Sequence, residues 1–93
     1  MSTLPEFEAF SASVGEQFRL TAEGDEISAE LIEAKKLGEV RGRPFALLFR
    51  VSDGPVLPQR IYPVDHDGLG QFELFIVPVG PDEVGMQYEA IFT

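Results

Sequence analysis

Residues 43–55 read RPFALLFRVSDGP, and this stretch decides the expected fold. One set of alternate positions holds four large apolar residues, Phe45, Leu47, Phe49 and Val51. An apolar residue at every second position is typical of a β-strand with one face in a core. The pattern stops at SDGP, a run of residues that favours turns. The stretch therefore predicts a strand followed by a reversal of the chain.

Similar alternation occurs on both sides of this strand, between glycines and prolines at short intervals. Regular short strands with turn residues between them indicate a chain that reverses direction repeatedly. Four further segments have this pattern: residues 16–22 (EQFRLTA), 57–66 (LPQRIYPVDH), 70–80 (GQFELFIVPVG) and 85–93 (GMQYEAIFT).

Residues 27–38 (ISAELIEAKKLG) are ambiguous. Their Ala, Glu, Leu and Lys favour a helix, which Ser28 could cap and Gly38 could end. Against a helix, Ile27, Ala29 and Leu31 alternate, and the links to the flanking strands are short. We expect a strand here.

A short helix is expected at the N-terminus, where Phe7, Phe10 and Val14 follow helical spacing between Pro5 and Gly15. Together with six strands this predicts a single domain over residues 1–93 that is mainly β. The expected fold is a small six-stranded antiparallel barrel or sandwich with one short N-terminal helix.

Two strands carry features that predict their positions. Pro63 cannot donate a ladder hydrogen bond, so its strand is expected to lie at an edge or to bulge there. Residues 70–80 are apolar on both faces, with Phe75 and Val77 opposite the other large residues. We expect that strand to be central or covered by the helix, and to end at Pro78 and Pro81.

Composition excludes several classes of function. Sixteen Asp and Glu against seven Lys and Arg give a net charge of −9, which would repel nucleic acid. No cysteine is present, so disulfides and thiolate metal sites are excluded. No secretory leader or membrane span is expected, and we predict a cytoplasmic protein without cofactors.

The stretch VDHDG, residues 64–68, is the one candidate for a metal or acid–base site. Asp65, His66 and Asp67 would converge only in a turn, and no second cluster of His or Cys completes a metal shell. Asp67-Gly68 between two strands is a strong hairpin signal. We therefore predict a hairpin turn with no metal or catalytic residue, and no loss of fold on replacing His66 with alanine.

Basic residues are concentrated in residues 41–60, which sum to +3, whereas residues 1–40 and 61–93 each sum to −6. The arginines of this segment either pair with acids across the sheet or form a face for an acidic partner. Tyr62 near Arg60 is a composition that interfaces favour, although a tyrosine at the rim of the core is the more common case.

The stretches PFALLFRV, LPQRIYPVDHDGLGQFELFIVPVGP and YEAIF together resemble a family of small bacterial domains of unknown function. In that family a Phe-rich strand ends in Phe-Arg and leads to a Leu-Pro-Gln turn, a His-containing turn with Leu-Gly, and a Tyr-Glu-Ala ending. The resemblance covers nearly the whole chain, most specifically residues 44–93. Asp67-Gly68 departs from it, because a small residue or a proline is more usual there.

The resemblance implies a compact, mostly β domain without established catalytic residues. It also implies genes near those of phage-tail-collar-like proteins, and hence an accessory or chaperone-like role. Residues shared with the family serve either the geometry of the turn or a rim that binds a partner, formed by Arg50, Gln59, Tyr62 and His66.

The function expected from the sequence is a non-enzymatic module that binds another protein, with no nucleic-acid or membrane partner. The candidate binding residues are Arg50, Gln59, Arg60, Tyr62 and His66. The alternative is a β-barrel that binds a small ligand in an aromatic-lined interior, which requires an accessible cavity larger than about 300 Å³.

Overall fold

A computed structural model describes residues 4–40 and 43–92. These residues form one helix, α1 (Phe7–Ser11), and six strands: β1 (Gln17–Ala22), β2 (Asp25–Val40), β3 (Arg43–Val51), β4 (Arg60–His66), β5 (Gly70–Pro81) and β6 (Met86–Phe92). Every pairing is antiparallel, and the strands follow the ring order β1-β2-β3-β6-β5-β4 in a closed barrel. The prediction of a mainly β, six-stranded antiparallel fold with a short N-terminal helix is confirmed.

The barrel consists of two three-stranded meanders, β1-β2-β3 and β4-β5-β6. Residues 52–59 join them and carry the chain from the end of β3 to the start of β4. The β1–β2 hairpin turns at Glu23 and Gly24, whose φ angles of 51° and 86° are those of a type I′ turn. Its twist matches that of the strands, which is why the chain reverses in two residues.

Alternation along each strand sends one set of side chains into the barrel. Phe45, Leu47, Phe49 and Val51 all point inward and are at most 3% exposed. Among the described residues, eighteen apolar side chains are buried in one cluster. The barrel interior is therefore filled by the protein's own side chains.

The helix α1 closes one end of the barrel with Phe10, which is fully buried. It has only five residues, and Val14, expected on its apolar face, is instead 45% exposed beyond its end. No helix of the described residues is long and apolar enough to cross a membrane.

Residues 27–38 adopt the expected strand as part of β2, which has sixteen residues. β2 pairs with β1 along its first part and with β3 along its second. These two ladders hold the segment extended despite its helix-favouring composition, because sheet pairing outweighs an intrinsic preference of a few tenths of a kcal/mol per residue.

The expectations for β5 are met in part. The strand ends at Pro81, one of the two prolines expected to end it, but it passes through Pro78, where an irregularity in the register accommodates a residue without an N–H donor. β5 is paired on both sides, with β4 and β6, so it is a central strand. The helix does not cover it, because α1 packs against β2 and β3, and Phe75 on the outer face of β5 is 48% exposed.

Pro63 marks the place where the ring of six strands is most weakly closed. β4 pairs with β5 over its whole length, but with β1 only through Arg19–Asp65 and Leu20–Val64. This ladder stops directly before Pro63, as expected for a residue without an N–H donor. Beyond this point no pairing joins the described residues of β1 and β4, and a groove is lined by Thr21 of one strand and Pro63 of the other.

Candidate functional site

The structure divides the five predicted binding residues between the inside and the outside of the barrel. Tyr62 and His66 lie on the inner face of β4 and are 2% and 6% exposed. Gln59 and Arg60 are exposed at the start of β4, and Arg50 lies on the outer face of β3. A partner at the start of β4 would therefore meet Gln59 and Arg60, but not the rings of Tyr62 or His66.

His66 is held by the protein on every side. Its ring stacks on Phe18 with 4.3 Å between the centroids. Nδ1 accepts hydrogen bonds from the backbone N–H groups of Gly68 and Leu69, at 3.1 and 3.0 Å. The neutral ring therefore carries its proton on Nε2, which donates to Glu16 at 2.7 Å. Nδ1 thus closes the β4–β5 hairpin, and Nε2 ties that hairpin to Glu16, directly before β1.

The β4–β5 hairpin has a different turn from the predicted one. His66 pairs with Gly70, so the loop contains Asp67, Gly68 and Leu69. The left-handed residue is Gly70, with φ of 86°, and not Gly68. The left-handed Gly70 therefore follows the three-residue loop, as the first residue of β5. The predicted reversal is present, but Asp67-Gly68 does not make it alone.

Because His66 is buried and hydrogen-bonded, we expect its replacement to lower stability, whereas the sequence alone predicts only that the fold stays intact. We expect His66→Ala to lower the free energy of unfolding by about 2–4 kcal/mol, through lost packing and unsatisfied groups. His66→Phe retains the stacking on Phe18 and should cost less. Urea unfolding of both variants measures this; equal stability of His66→Ala and the wild type would contradict it.

The two tyrosines fasten the connection between β3 and β4. Tyr62 donates a hydrogen bond from its hydroxyl to the carbonyl of Pro58, and burial raises its pKa. The hydroxyl of Tyr88 accepts from the N–H of Leu57 at 2.9 Å. Tyr62 therefore has a structural role. Of an interface tyrosine and a tyrosine at the rim of the core, the second is the more common case.

Arg50 is paired with an acid. Its guanidinium lies 2.7 Å from Asp82, whose other oxygen accepts from the backbone N–H groups of Val84 and Gly85. The hydrogen bond from Gly85, followed by that from Arg50, lowers the pKa of Asp82 to about 2. This pair ties the β5–β6 turn to β3. Arg41, another arginine of the basic segment, lies outside the described residues.

The lowered pKa of Asp82 predicts a defined acid sensitivity. A depressed folded pKa contributes stability that is complete above the ordinary value of 3.8 and is lost as the pH falls towards about 2. We expect the wild type to exceed Asp82→Asn in its urea midpoint near neutral pH, and the difference to vanish over that window. A difference that persists unchanged at the acid end would contradict this prediction.

The outer face of the barrel carries apolar side chains that the sequence analysis did not select. Ile61 is 60%, Phe75 48% and Ile91 54% exposed. Ile61 pairs directly with Phe75. The β5–β6 ladder ends at Val77–Glu89, and the same register extended by two residues would bring Ile91 opposite Phe75. We call these three residues the apolar row. The signal was present in the sequence, as apolar residues at the outward positions of three successive strands.

A groove lies next to the apolar row, where the pairing of β1 with β4 has stopped. Its volume is about 580 Å³, and it opens outward. Pro63 and Glu73 line it and are the next outward residues after Ile61 on β4 and Phe75 on β5. We call it the acidic groove; the full lining is Thr21, Glu26, Pro63, Val64, Asp65, Gln71, Phe72 and Glu73.

The charges around the groove are unbalanced. Arg19 lies 2.8 Å from Asp65 and 2.7 Å from Asp67, so one guanidinium forms salt bridges with two carboxylates. Glu26 and Glu73 are exposed and have no cationic partner among the described residues. The groove is therefore a region of negative potential beside an apolar surface.

The described residues contain no group of three His, Asp or Glu side chains placed to hold a metal ion. The chemistry that this surface offers is recognition: apolar contact along the row, and attraction of positive charge in the groove.

Comparison with known proteins agrees with the resemblance seen in the sequence. No curated protein and no solved structure matched the chain. A family model described as Domain of unknown function (DUF6916) matches residues 5–92, which is nearly the whole chain. The chain therefore belongs to this family of domains of unknown function.

Proposed function

We propose that this domain is a non-enzymatic protein-interaction module, whose contact surface is the outer face of β4, β5 and β6 around the apolar row. The observation that carries the proposal is the exposure of the paired residues Ile61 and Phe75, together with Ile91 at an outward position of the next strand. Single exposed apolar residues are ordinary, but contiguous ones rimmed by polar side chains are typical of interaction sites.

Two further observations support a binding role over catalysis. Both nitrogens of the only histidine in the sequence are engaged by Glu16 and the backbone, so neither is available as a base. The barrel interior is filled, so the surface is where the domain can meet another molecule.

The alternative function, a barrel that holds a small ligand, requires space among the aromatic side chains. Phe10, Phe18, Phe45 and Phe49 are fully buried and pack on one another. The acidic groove is as large as many ligand sites but opens outward, whereas such sites enclose most of the ligand. We therefore favour a protein partner.

The proposal includes a cytoplasmic location, which the absence of cysteine from the sequence suits. It also includes the accessory role implied by the resemblance, so a phage-tail-collar-like protein encoded near this domain is the first partner to assay. Gln59 and Arg60 lie at the margin of the contact surface, beside Ile61.

A serine in place of Phe75 tests the proposal. We expect Phe75→Ser to weaken partner binding by about tenfold or more, because an aromatic side chain at the centre of an interface is often among the few residues whose loss costs more than about 1 kcal/mol. The matched control is Val84→Ser, which removes an apolar side chain that is 58% exposed in the β5–β6 turn. Binding is measured with the purified partner by calorimetry. Equal affinities of Phe75→Ser and Val84→Ser would refute this contact surface.

A further inference from the structure

From the charge and shape of the surface beside the apolar row, we infer that the partner contributes a basic, extended segment that carries apolar side chains. Its lysines or arginines enter the acidic groove, and its apolar side chains cover the row. This inference rests on the proposed function and adds the chemistry of the partner to it.

Geometry joins the two parts of the surface. On β4, Pro63 of the groove is two residues from Ile61 of the row; on β5, Glu73 is two residues from Phe75. Outward residues two apart on a strand are separated by about 7 Å, and neighbouring strands by about 5 Å. An extended segment whose basic and apolar residues lie a few positions apart therefore contacts both.

Charge complementarity determines the sign of the partner's charge. Four carboxylates lie in or beside the groove, those of Glu26, Asp65, Asp67 and Glu73, against the single guanidinium of Arg19. No lysine or arginine is among the residues that line the groove. A basic segment neutralises this excess, whereas an acidic segment is repelled.

The gap between β1 and β4 favours an extended shape. Their ladder has two residue pairs and ends at Leu20–Val64, although β1 continues to Ala22 and β4 extends back to Arg60. Strand segments without a neighbour are the sites at which extended peptides add to sheets. The gap lies along the groove, since Thr21 and Pro63 line both.

The same charges argue against a second copy of this chain as the occupant. A two-fold dimer through this face would place the surface against itself. Glu26 and Glu73 of one copy would then face the corresponding carboxylates of the other, in a chain whose net charge is already −9. Like charges across an interface disfavour that pairing.

The test uses three labelled synthetic peptides of about eight residues, long enough to lie across the groove and the row. One alternates lysine with valine, one glutamate with valine, and one lysine with serine. Fluorescence anisotropy gives their affinities for the intact domain. Amide chemical shifts report whether binding moves Glu26, Gln71 and Glu73, which line the groove.

We expect the lysine–valine peptide to bind most tightly, with shifts concentrated at the groove and weaker binding at high salt. The double substitution Glu26→Gln with Glu73→Gln should weaken it about threefold to tenfold, as expected for two exposed ion pairs. The control is Glu8→Gln, which removes an exposed acid on α1 at the closed end of the barrel.

Several outcomes would overturn the inference. Equal binding of the glutamate–valine peptide, or no effect of the double substitution, would exclude a basic partner. Self-association in ultracentrifugation that Phe75→Ser abolishes would show a second copy on this face. If a partner protein is lost with Phe75→Ser but not with the groove substitutions, the inference fails and the proposed function stands. If neither affects that partner, both fail.

Discussion

Gly85→Ala is expected to destabilise the domain by about 3 kcal/mol or more, because the added methyl group has no space. A Cβ at this position would lie 2.2 Å from the carbonyl oxygen of Val51 and 2.8 Å from the Cα of Ser52. Both are backbone atoms, so no side chain can rotate away. In a domain of this size the cost corresponds to a drop in melting temperature of roughly 10–20 °C.

The clash occurs where several contacts depend on one backbone position. Gly85 exchanges hydrogen bonds with Asp82, donating from its N–H and accepting at its carbonyl. Asp82 in turn holds Arg50 of β3. Displacement of Gly85 would thus weaken the β5–β6 turn and its link to β3 together.

Gly68→Ala is the matched control for this prediction. A Cβ at Gly68 meets its nearest atom, Cε1 of His66, at 3.4 Å, which is ordinary contact. Its backbone is not left-handed, so alanine adds no strain there. We expect a change within about 0.5 kcal/mol. Thermal unfolding of both variants decides; similar melting temperatures would show that β6 and β3 can separate at Gly85 without cost.

The contrast between these two glycines shows what local sequence conveys and what it does not. Gly68 stands in a recognisable hairpin pattern, yet its substitution is expected to be mild. Glycine is required at position 85 because the backbone of Val51 lies against it. Val51 is far away in the chain, but β3 and β6 lie side by side. The close approach of two neighbouring backbones depends on the order of the strands around the barrel. Alternation within a strand does not specify that order.

The strands themselves could be predicted because alternation is a local property. Phe45, Leu47 and Phe49 had to face a core whichever strands became their neighbours, and they do. Alternation also predicts a strand at residues 27–38, and this is confirmed. It does not distinguish a barrel from a sandwich, since closure of the ring of strands depends on the pairing of β1 with β4.

The binding residues were predicted less accurately than the strands, for a physical reason. Sequence alternation correctly placed Tyr62 and His66 on one face of β4, but it does not say which face is the inside. Once the barrel closes, that face is buried and Ile61 is exposed on the other. The predicted binding residues are polar or aromatic residues of one face, whereas the exposed surface is marked by the apolar side chains of Ile61, Phe75 and Ile91 at outward positions.

Phe10→Ala is the second substitution with a large expected effect, because this ring fills the closed end of the barrel. It is fully buried, and its centroid lies 5.5–6.3 Å from the rings of Phe18, Phe45, Phe72 and Phe92. These four belong to β1, β3, β5 and β6, so one side chain from a five-residue helix contacts most of the ring of strands. Such a helix has too few hydrogen bonds to persist without this contact.

We expect Phe10→Ala to cost about 3–5 kcal/mol and to release α1, as fast hydrogen exchange of residues 7–11 would show. Phe7→Ala is the control, since Phe7 is only partly buried, edge-on to Phe45 and beneath Lys36. Its loss should cost less than half as much. If Phe10→Ala costs no more than Phe7→Ala, the helix does not close the barrel, and the strands hold the core without it. The larger cost would instead show that the N-terminal segment is part of the folding unit, because strand pairing alone leaves four aromatic rings uncovered at that end.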